Sequence, residues 1–263
     1  MTYIEPPSFP AAISWQGDLS RDFRDYAGEI FEVARTNYDG NKADHKMARG
    51  RFPDRKCFSP IPLPEAGSAQ MRTRLIDFTP NDHHSTILHR NNHLSLKLHT
   101  EFNEAMQGDS EHFVLHRAYE RVRYNRYISA LDTTNLLQGH SQAPHMQAFL
   151  LDIYDPYGYM MASVIFQLGN KSAYCSYHFY RTDARDLYIG RYSILATMMT
   201  LKQAAGCKYF YIGVFQASND HYRWKSFLKP AEVKIGKEWL PLNSRTGNIL
   251  RKERHARKAK PAL

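Results

Sequence analysis

Five histidines crowd the stretch from residue 83 to residue 99: His83, His84, His89, His93 and His99. Histidine at that density raises zinc, which needs three or four converging ligands, two of them on one helical face at i, i+4 spacing. His89 and His93 have that spacing. No cysteine or carboxylate set completes the pattern, so the cluster reads as a surface run partly facing RNA. No metal and no cofactor is expected. A second concentration lies near the other end, where YRWKSFLKPAEVKIGKEWLPL (Tyr222 to Leu242) gathers Trp224, Lys225, Pro230, Glu232 and Trp239. The three cysteines, Cys57, Cys175 and Cys207, are far apart and form no C-x-x-C pair. They imply no disulfide framework and fit a reducing compartment.

The chain around these groups has 263 residues, is 43% hydrophobic and carries a net charge of +9. That is a globular composition with enough length for a real core. The positive surplus favours a polyanionic partner, nucleic acid before an anionic membrane. Part of it is local: RKERHARKAK (Arg251 to Lys260) holds six Lys/Arg against one Glu. Such a run is expected to be solvated, strengthening RNA binding without specifying it. Residues 1–20 lack the basic and apolar regions of a signal peptide, and no stretch approaches the roughly 18 apolar residues of a membrane span. The expectation is a cytoplasmic monomer with no membrane contact.

The elements that would position the candidate residues are uneven in clarity. Residues 1–100 are broken by prolines and read as a small, irregular α+β domain, with a helix over Phe23–Thr36, a strand over Arg72–Phe78 and a short helix over Ser85–His93. Residues 110–127 predict a strong helix capped by Ser110, with Leu115, Ala118, Tyr119 and Val122 as its buried stripe. Arg117, Arg121 and Arg123 form a solvated face or an RNA contact. From 147 onward the pattern is orderly. Strands are expected at Gln147–Tyr154, Met160–Leu168 and Ala173–Tyr180, with a turn at Asp155–Gly158. A helix follows over Ile189–Ala205, stopped at Gly206, and then a strand over Lys208–Phe215. A catalytic domain over 101–245 and a basic tail over 246–263 complete the expected organisation.

Three meandering strands, then a helix crossing over to a parallel strand, is the core order of the GNAT acyltransferase fold. The fold class is therefore read as α+β, GNAT-like in its C-terminal part. In such a sheet the strands splay beside the helix N-terminus, leaving a cleft with free backbone N–H groups. The usual Q/R-x-x-G-x-G/A loop for acyl-CoA is missing. Arg185-Asp-Leu-Tyr-Ile-Gly190-Arg191-Tyr192 has one glycine, and bulky residues where a second should be, so a pyrophosphate could not approach as closely.

The stretch YHFYRTDARDLYIGRYSILATMMTLKQAAGCKYFYIGVFQ (177–216), followed by Tyr222–Leu242, resembles the C-terminal half of bacterial aminoacyl-tRNA–protein transferases, the leucyltransferases and their arginyltransferase relatives. The matching positions are Tyr177, Phe179, Tyr180, Asp183, Gly190, Ile194, Leu195, Tyr209, Tyr211, Gly213, Lys225, Phe227, Pro230, Glu232 and Trp239. Upstream, Phe78-Thr-Pro80 and Ile87-Leu88-His89-Arg90-Asn91 are similar to the family's F-x-P segment and the basic run after it. The resemblance covers about 70–242. The chain departs from the family in three places. Only Cys57 stands where the family clusters cysteines, Asn81 to Thr86 brings an acid where an arginine would sit, and Val214-Phe215-Gln216 replaces Y-W-I.

The resemblance implies that an amine attacks the ester carbonyl of an aminoacyl-tRNA, forming an amide and releasing tRNA. The enzyme would mainly position two substrates, keep the amine neutral or take its proton, and stabilise an oxyanion, for instance with a strand N–H. By the same resemblance Tyr177, Tyr180 and Asp183 stand at the cleft mouth as catalytic candidates, and Lys225, Gly213, Glu232 and Gly190 as substrate-binding candidates; Gln216, where the chain departs from the family, is a further substrate-binding candidate. Lys225 would take an acceptor carboxylate or the terminal phosphate. Arg90, Asn91, Arg117 and Arg121 would contact tRNA. Period two puts Tyr177 and Phe179 on one sheet face and Tyr180 on the other. Packing accounts equally for the tyrosines and for Trp224 and Trp239, a turn for Asp183, and a bulge for Gly213. Partners are then an aminoacyl-tRNA carrying Arg or Leu and a protein or peptide with a free N-terminus. Three alternatives stay open: a small-molecule or biosynthetic-peptide acceptor, an acyl-CoA-dependent N-acyltransferase, and an RNA-binding module without catalysis.

Overall fold

The computed structural model describes residues 7–258 apart from 11, 15, 55, 56, 61, 62, 64–66, 143, 144, 217, 218 and 220–223. Pro6, Pro62, Pro64, Tyr222 and the end of the basic run beyond Lys258 lie outside the described residues. In chain order the elements are β1 (Phe9–Pro10), α1 (Arg21–Asn37), α2 (Gly40–Ala48), β2 (Arg51–Asp54), β3 (Cys57–Pro60), β4 (Ser68–Arg74), α3 (Asp82–Arg90), β5 (Ser95–His99), α4 (Glu111–Tyr124) and α5 (Ala130–Ser141). They continue with β6 (Gln147–Tyr154), β7 (Met160–Leu168), β8 (Ser172–Tyr180), α6 (Ile189–Gln203), β9 (Tyr209–Gln216), β10 (Ala231–Ile235), β11 (Glu238–Pro241) and α7 (Ser244–Lys258).

Nine strands form one mixed sheet in the order β1-β5-β6-β7-β8-β9-β4-β10-β11. The middle strands read as near-continuous apolar runs because both faces of the sheet are covered; every residue of β7 is buried. One face carries α1 and α6 over Phe149, Val164 and Phe166, with α3 against α6. The other carries α4 and α5 over Leu150, Ile165 and Phe179. The β6-β7-β8-α6-β9 order and the parallel β8–β9 pairing stand as the sequence predicts. Strands β1, β4 and β5 precede residue 100 and share the sheet with the strands that follow it. No helix among the described residues is long and apolar enough to cross a membrane.

Three local expectations are corrected. The strand placed at Arg72–Phe78 lies at Ser68–Arg74 and gives way to a 3-10 turn, Leu75–Asp77. Helix α3 starts three residues early because Asn81 and His84 cap it reciprocally, Oδ1 accepting from His84 N–H at 3.0 Å and Nδ1 from Asn81 N–H at 3.1 Å. It ends at Arg90, so His89 and His93 do not share a helix. On α4, Ser110 caps as expected, but the buried face is His112, Leu115, His116, Tyr119 and Glu120. Ala118 and Val122 are exposed. Buried polar partners on the sheet, Asp152 and Tyr177, draw His112 and Glu120 inward, and Thr133 on α5 meets His116 at 3.0 Å. The basic run from Arg251 continues α7 to Lys258, and Arg251 and Lys252 are exposed on it. Asn243 Oδ1 accepts from Thr246 N–H at 3.1 Å at its start.

Candidate active site

Strands β8 and β9 pair only where Ser172–Tyr174 face Tyr209–Tyr211. Beyond that β8 runs on to Tyr180 and β9 to Gln216 without meeting. Gly213 sits at a bulge where β9 slips against β4, with φ +79, a conformation that glycine adopts without strain. Lys225, from the 3-10 turn Trp224–Phe227, reaches into the wedge and donates to the carbonyl oxygens of Ile212 at 2.7 Å and Val214 at 2.8 Å. Burial pushes its ammonium down to about 8, and the neighbouring Cys175 pulls the other way. Burial in turn pushes the Cys175 thiol up to about 12, so it is neutral and a poor nucleophile. Lys225, Gly213, Cys175, Tyr177 and Tyr180 all line a cavity of about 240 Å³ in this wedge.

A second cavity, of about 500 Å³, opens directly outside it at the N-terminus of α6. Arg123, His178, Tyr180 and Trp224 line both, so the two are one stepped cleft. The outer step adds Arg181, Arg185 and Arg191 to Arg123, and no carboxylate lines it among the described residues. Helix α6 begins from Tyr188 in the left-handed region (φ 50) with no side-chain cap. The positive end of a 15-residue helix therefore points into the arginine pocket. The closeness of Gly190 to the Tyr180 ring explains the single glycine: a Cβ there would lie 2.5 Å from Tyr180 Cζ.

The sequence-predicted residues fall into two groups. Tyr177, Tyr180, Lys225, Gly213 and Gly190 come together in the cleft. Tyr177 and Phe179 face α4 together, both against the His116 ring. The Tyr177 hydroxyl donates to the buried Glu120 carboxylate, and burial, that bond and the carboxylate charge all raise its pKa. Tyr180 stacks on His178 at 5.4 Å. Arg90 lies beside the cleft, its guanidinium 5.5 Å over the Tyr188 ring and donating to Asp186 O at 3.1 Å. The others stand apart. Asp183 is exposed and bonded to Arg181 at 2.7 Å, outside the linings of both steps. Glu232 is in a buried ion pair with Arg72, also 2.7 Å, on the β4–β10 side. Gln216 is buried at the end of β9. Asn91 is buried and holds Ile87 O and Leu187 O, a structural role that fixes the approach to α6. Arg117 and Arg121 are exposed on α4 outside the cleft.

Sequence reading overlooked Tyr119, His178, Arg185 and Arg191 as cleft residues. A signal existed for two of them: Arg185 and Arg191 flank Gly190 in the segment at the predicted helix start. It also overlooked the His112–Asp152–His99 group. Asp152, wholly buried in β6, accepts from His112 Nε2 at 2.8 Å and lies 3.1 Å from His99 Nε2. Burial would raise the carboxyl, but His112 and His99 outweigh it and hold it well below the usual range. His112 is raised, its own burial outweighed by Asp152.

A β-β-β-α-β core whose central strands part beside a cation-lined helix N-terminus is that of a GNAT-like acyltransferase. Residues 95–235 match the family described as arginine-tRNA-protein transferase, C terminus. That is more than half of the chain, and the chain belongs to this aminoacyltransferase family. No curated protein matches it. Among solved structures it is similar to L-PGS from Bacillus licheniformis, at 12% identity and TM-score 0.44, covering 72% of this chain and 66% of that one. FemX matches at 10% and 0.40, covering 62% and 57%. The N-myristoyltransferase of Saccharomyces cerevisiae matches at 17% and 0.36, covering 64% and 49%. The chain thus spans less than two thirds of the length of each of these structures.

Proposed function

We propose that this protein transfers the amino acid of an aminoacyl-tRNA, arginine by the family's description, to the free amino group of a protein or peptide N-terminus. It would act as a cytoplasmic monomer, without a cofactor. The observation that carries this reading is the stepped cleft itself: an arginine-lined outer pocket opening into a small cavity that ends at Lys225. Arg123, Arg185 and Arg191 suit the phosphates of a tRNA 3′ end, where planar, always-charged guanidinium groups bind best. The aminoacyl ester then lies in the wedge. A neutral acceptor amine attacks its carbonyl carbon, a C–N bond forms, and the ester C–O bond breaks as the ribose oxygen leaves. The nitrogen loses one proton and the ribose oxygen gains one. Lys225, charged at neutral pH with a pKa about 8, can donate to the oxygen and recover a proton from the nitrogen.

The test is transfer by the purified full chain, from tRNA charged with labelled amino acids to peptides of varied N-terminal residue. Label in peptide, greatest with arginine, is the expected result. No transfer and no binding of charged tRNA, together with thermal stabilisation by coenzyme A, would overturn the reading.

A further inference from the structure

The solvent face of α4 carries an apolar stripe at helical spacing, Val114, Ala118 and Val122. Val114 is 62% exposed, Val122 63%, and Tyr159 beside them 62%. A protein does not ordinarily leave side chains of this size in one uncovered row. With Met160 they line a groove of about 480 Å³. Its two ends differ in charge. At one end Val122, Arg181 and Thr182 also line the arginine pocket of the cleft, and Asp183, paired with Arg181 at 2.7 Å, lines the groove there. At the other, Asp109 and Glu111 also line a cavity of about 1010 Å³. Glu101, Glu104 and Asp155 join them there, against Lys97, His93, His99 and His112 among the described residues.

This acidic cavity runs against the charge of the chain as a whole, which is +9. It repels an RNA backbone, so tRNA does not account for it, and it attracts a cationic group. We infer that the α4 groove holds the acceptor polypeptide downstream of its N-terminus, as an extended segment with apolar side chains on Val114 and Ala118 and basic side chains in the acidic cavity. This rests on the transfer reading, which places the acceptor amine at the wedge. From Glu111 to Val122 the helix rises about 16 Å, at about 1.5 Å per residue. An extended chain covers that in about five residues, at about 3.3 Å each. The basic side chains therefore lie more than about five residues from the reacting amine, which is beyond Val122 in the wedge. Acceptor choice would then have two readers, the cleft for the N-terminus and the acidic cavity for charge further along.

Fluorescence anisotropy with the full chain, in the absence of tRNA, tests this separately from transfer. The probes are two labelled nonapeptides with apolar residues at positions three to five and either lysines or glutamates at six to eight. The lysine peptide is expected to bind at least tenfold tighter. Val114→Arg and Glu104→Lys should each weaken it about tenfold, with charged-tRNA binding and the melting temperature retained. Equal binding of the two peptides, or binding indifferent to both substitutions, would overturn the inference. So would a wild-type dimer in sedimentation that Val114→Arg disperses, because a second copy would then be the occupant. Peptide binding without transfer would sink the proposed function and leave the groove standing.

Discussion

Lys225 straddles Gly213: its ammonium donates to the carbonyls on either side of the glycine, 2.7 Å to Ile212 and 2.8 Å to Val214. The strand kink and the cation belong to one device, since the bulge at Gly213 accompanies the two carbonyl oxygens turned onto one nitrogen in the gap between β8 and β9. Replacing the lysine by methionine keeps most of the volume and removes the charge. In the transfer assay Lys225→Met is expected to lower kcat by roughly a hundredfold with a small change in KM, in the range usual for a lost proton-transfer or electrostatic group. The wild-type rate should fall as pH rises through about 8, where Lys225 loses its proton. That limb should vanish in the variant, and a limb that persists would assign it to another group.

The arginines of the outer pocket predict a different signature. Arg185→Ala and Arg191→Ala remove groups that line the pocket without reaching the wedge cavity. Each should weaken charged-tRNA binding and reduce the slope of log K against log salt by about one, the effect of one lost phosphate contact. Transfer at saturating tRNA should hardly change. A salt slope identical to that of the wild type would place the RNA elsewhere.

Tyr177 separates packing from chemistry. Its hydroxyl is committed to Glu120, which is 4% exposed. Tyr177→Phe strips a buried carboxylate of a donor and should cost about 1–3 kcal/mol of stability, measured by urea unfolding. Transfer per folded molecule should stay within a few-fold of wild type. A kcat reduced a hundredfold at unchanged stability would instead put the hydroxyl in the reaction.

The pair His112–Asp152 sets a pH window. The Asp152 carboxyl is depressed in the fold, so its contribution is present above the unfolded value near 3.9 and is lost as pH falls through the folded one. His112 is raised, so its contribution is full below about 6.5 and is lost as pH climbs through its folded value. The two overlap from about pH 4 to about pH 6.5. Asp152→Asn should cost about 3 kcal/mol within that window, because it leaves His112 buried without its counter-charge. Melting temperatures across pH would show the difference narrowing on either side.

The middle of the chain was legible because its strands obey simple rules. Buried on both faces, β6 and β7 show up as near-continuous apolar runs, interrupted by Asp152, Ser163 and Gln167 and closed by turn residues, and their ends fall where the pattern ends. Helix α4 misled for the opposite reason. Its aliphatic residues Ala118 and Val122 stay in water, while His112, His116 and Glu120 go inside. A hydrophobicity pattern cannot register a polar side chain whose partner lies dozens of residues away, as Asp152 lies from His112. Helix α5 escaped notice because only Thr133 and Leu137 are buried along it. Lys225 was legible as a candidate through the resemblance, and its two carbonyl partners were not, because they follow from a bulge.

Strand β4 lies between β9 and β10. A segment ending at Arg74 is thus held on one edge by residues 209–216 and on the other by residues 231–235. During synthesis both of its edges wait for more than a hundred residues to be added. The closure is non-local in the sense that slows folding, and open strand edges invite wrong pairings in the interval. The wedge that holds Lys225 is bounded by β9, one of these late strands, so it cannot form before residues 209–225 have been made.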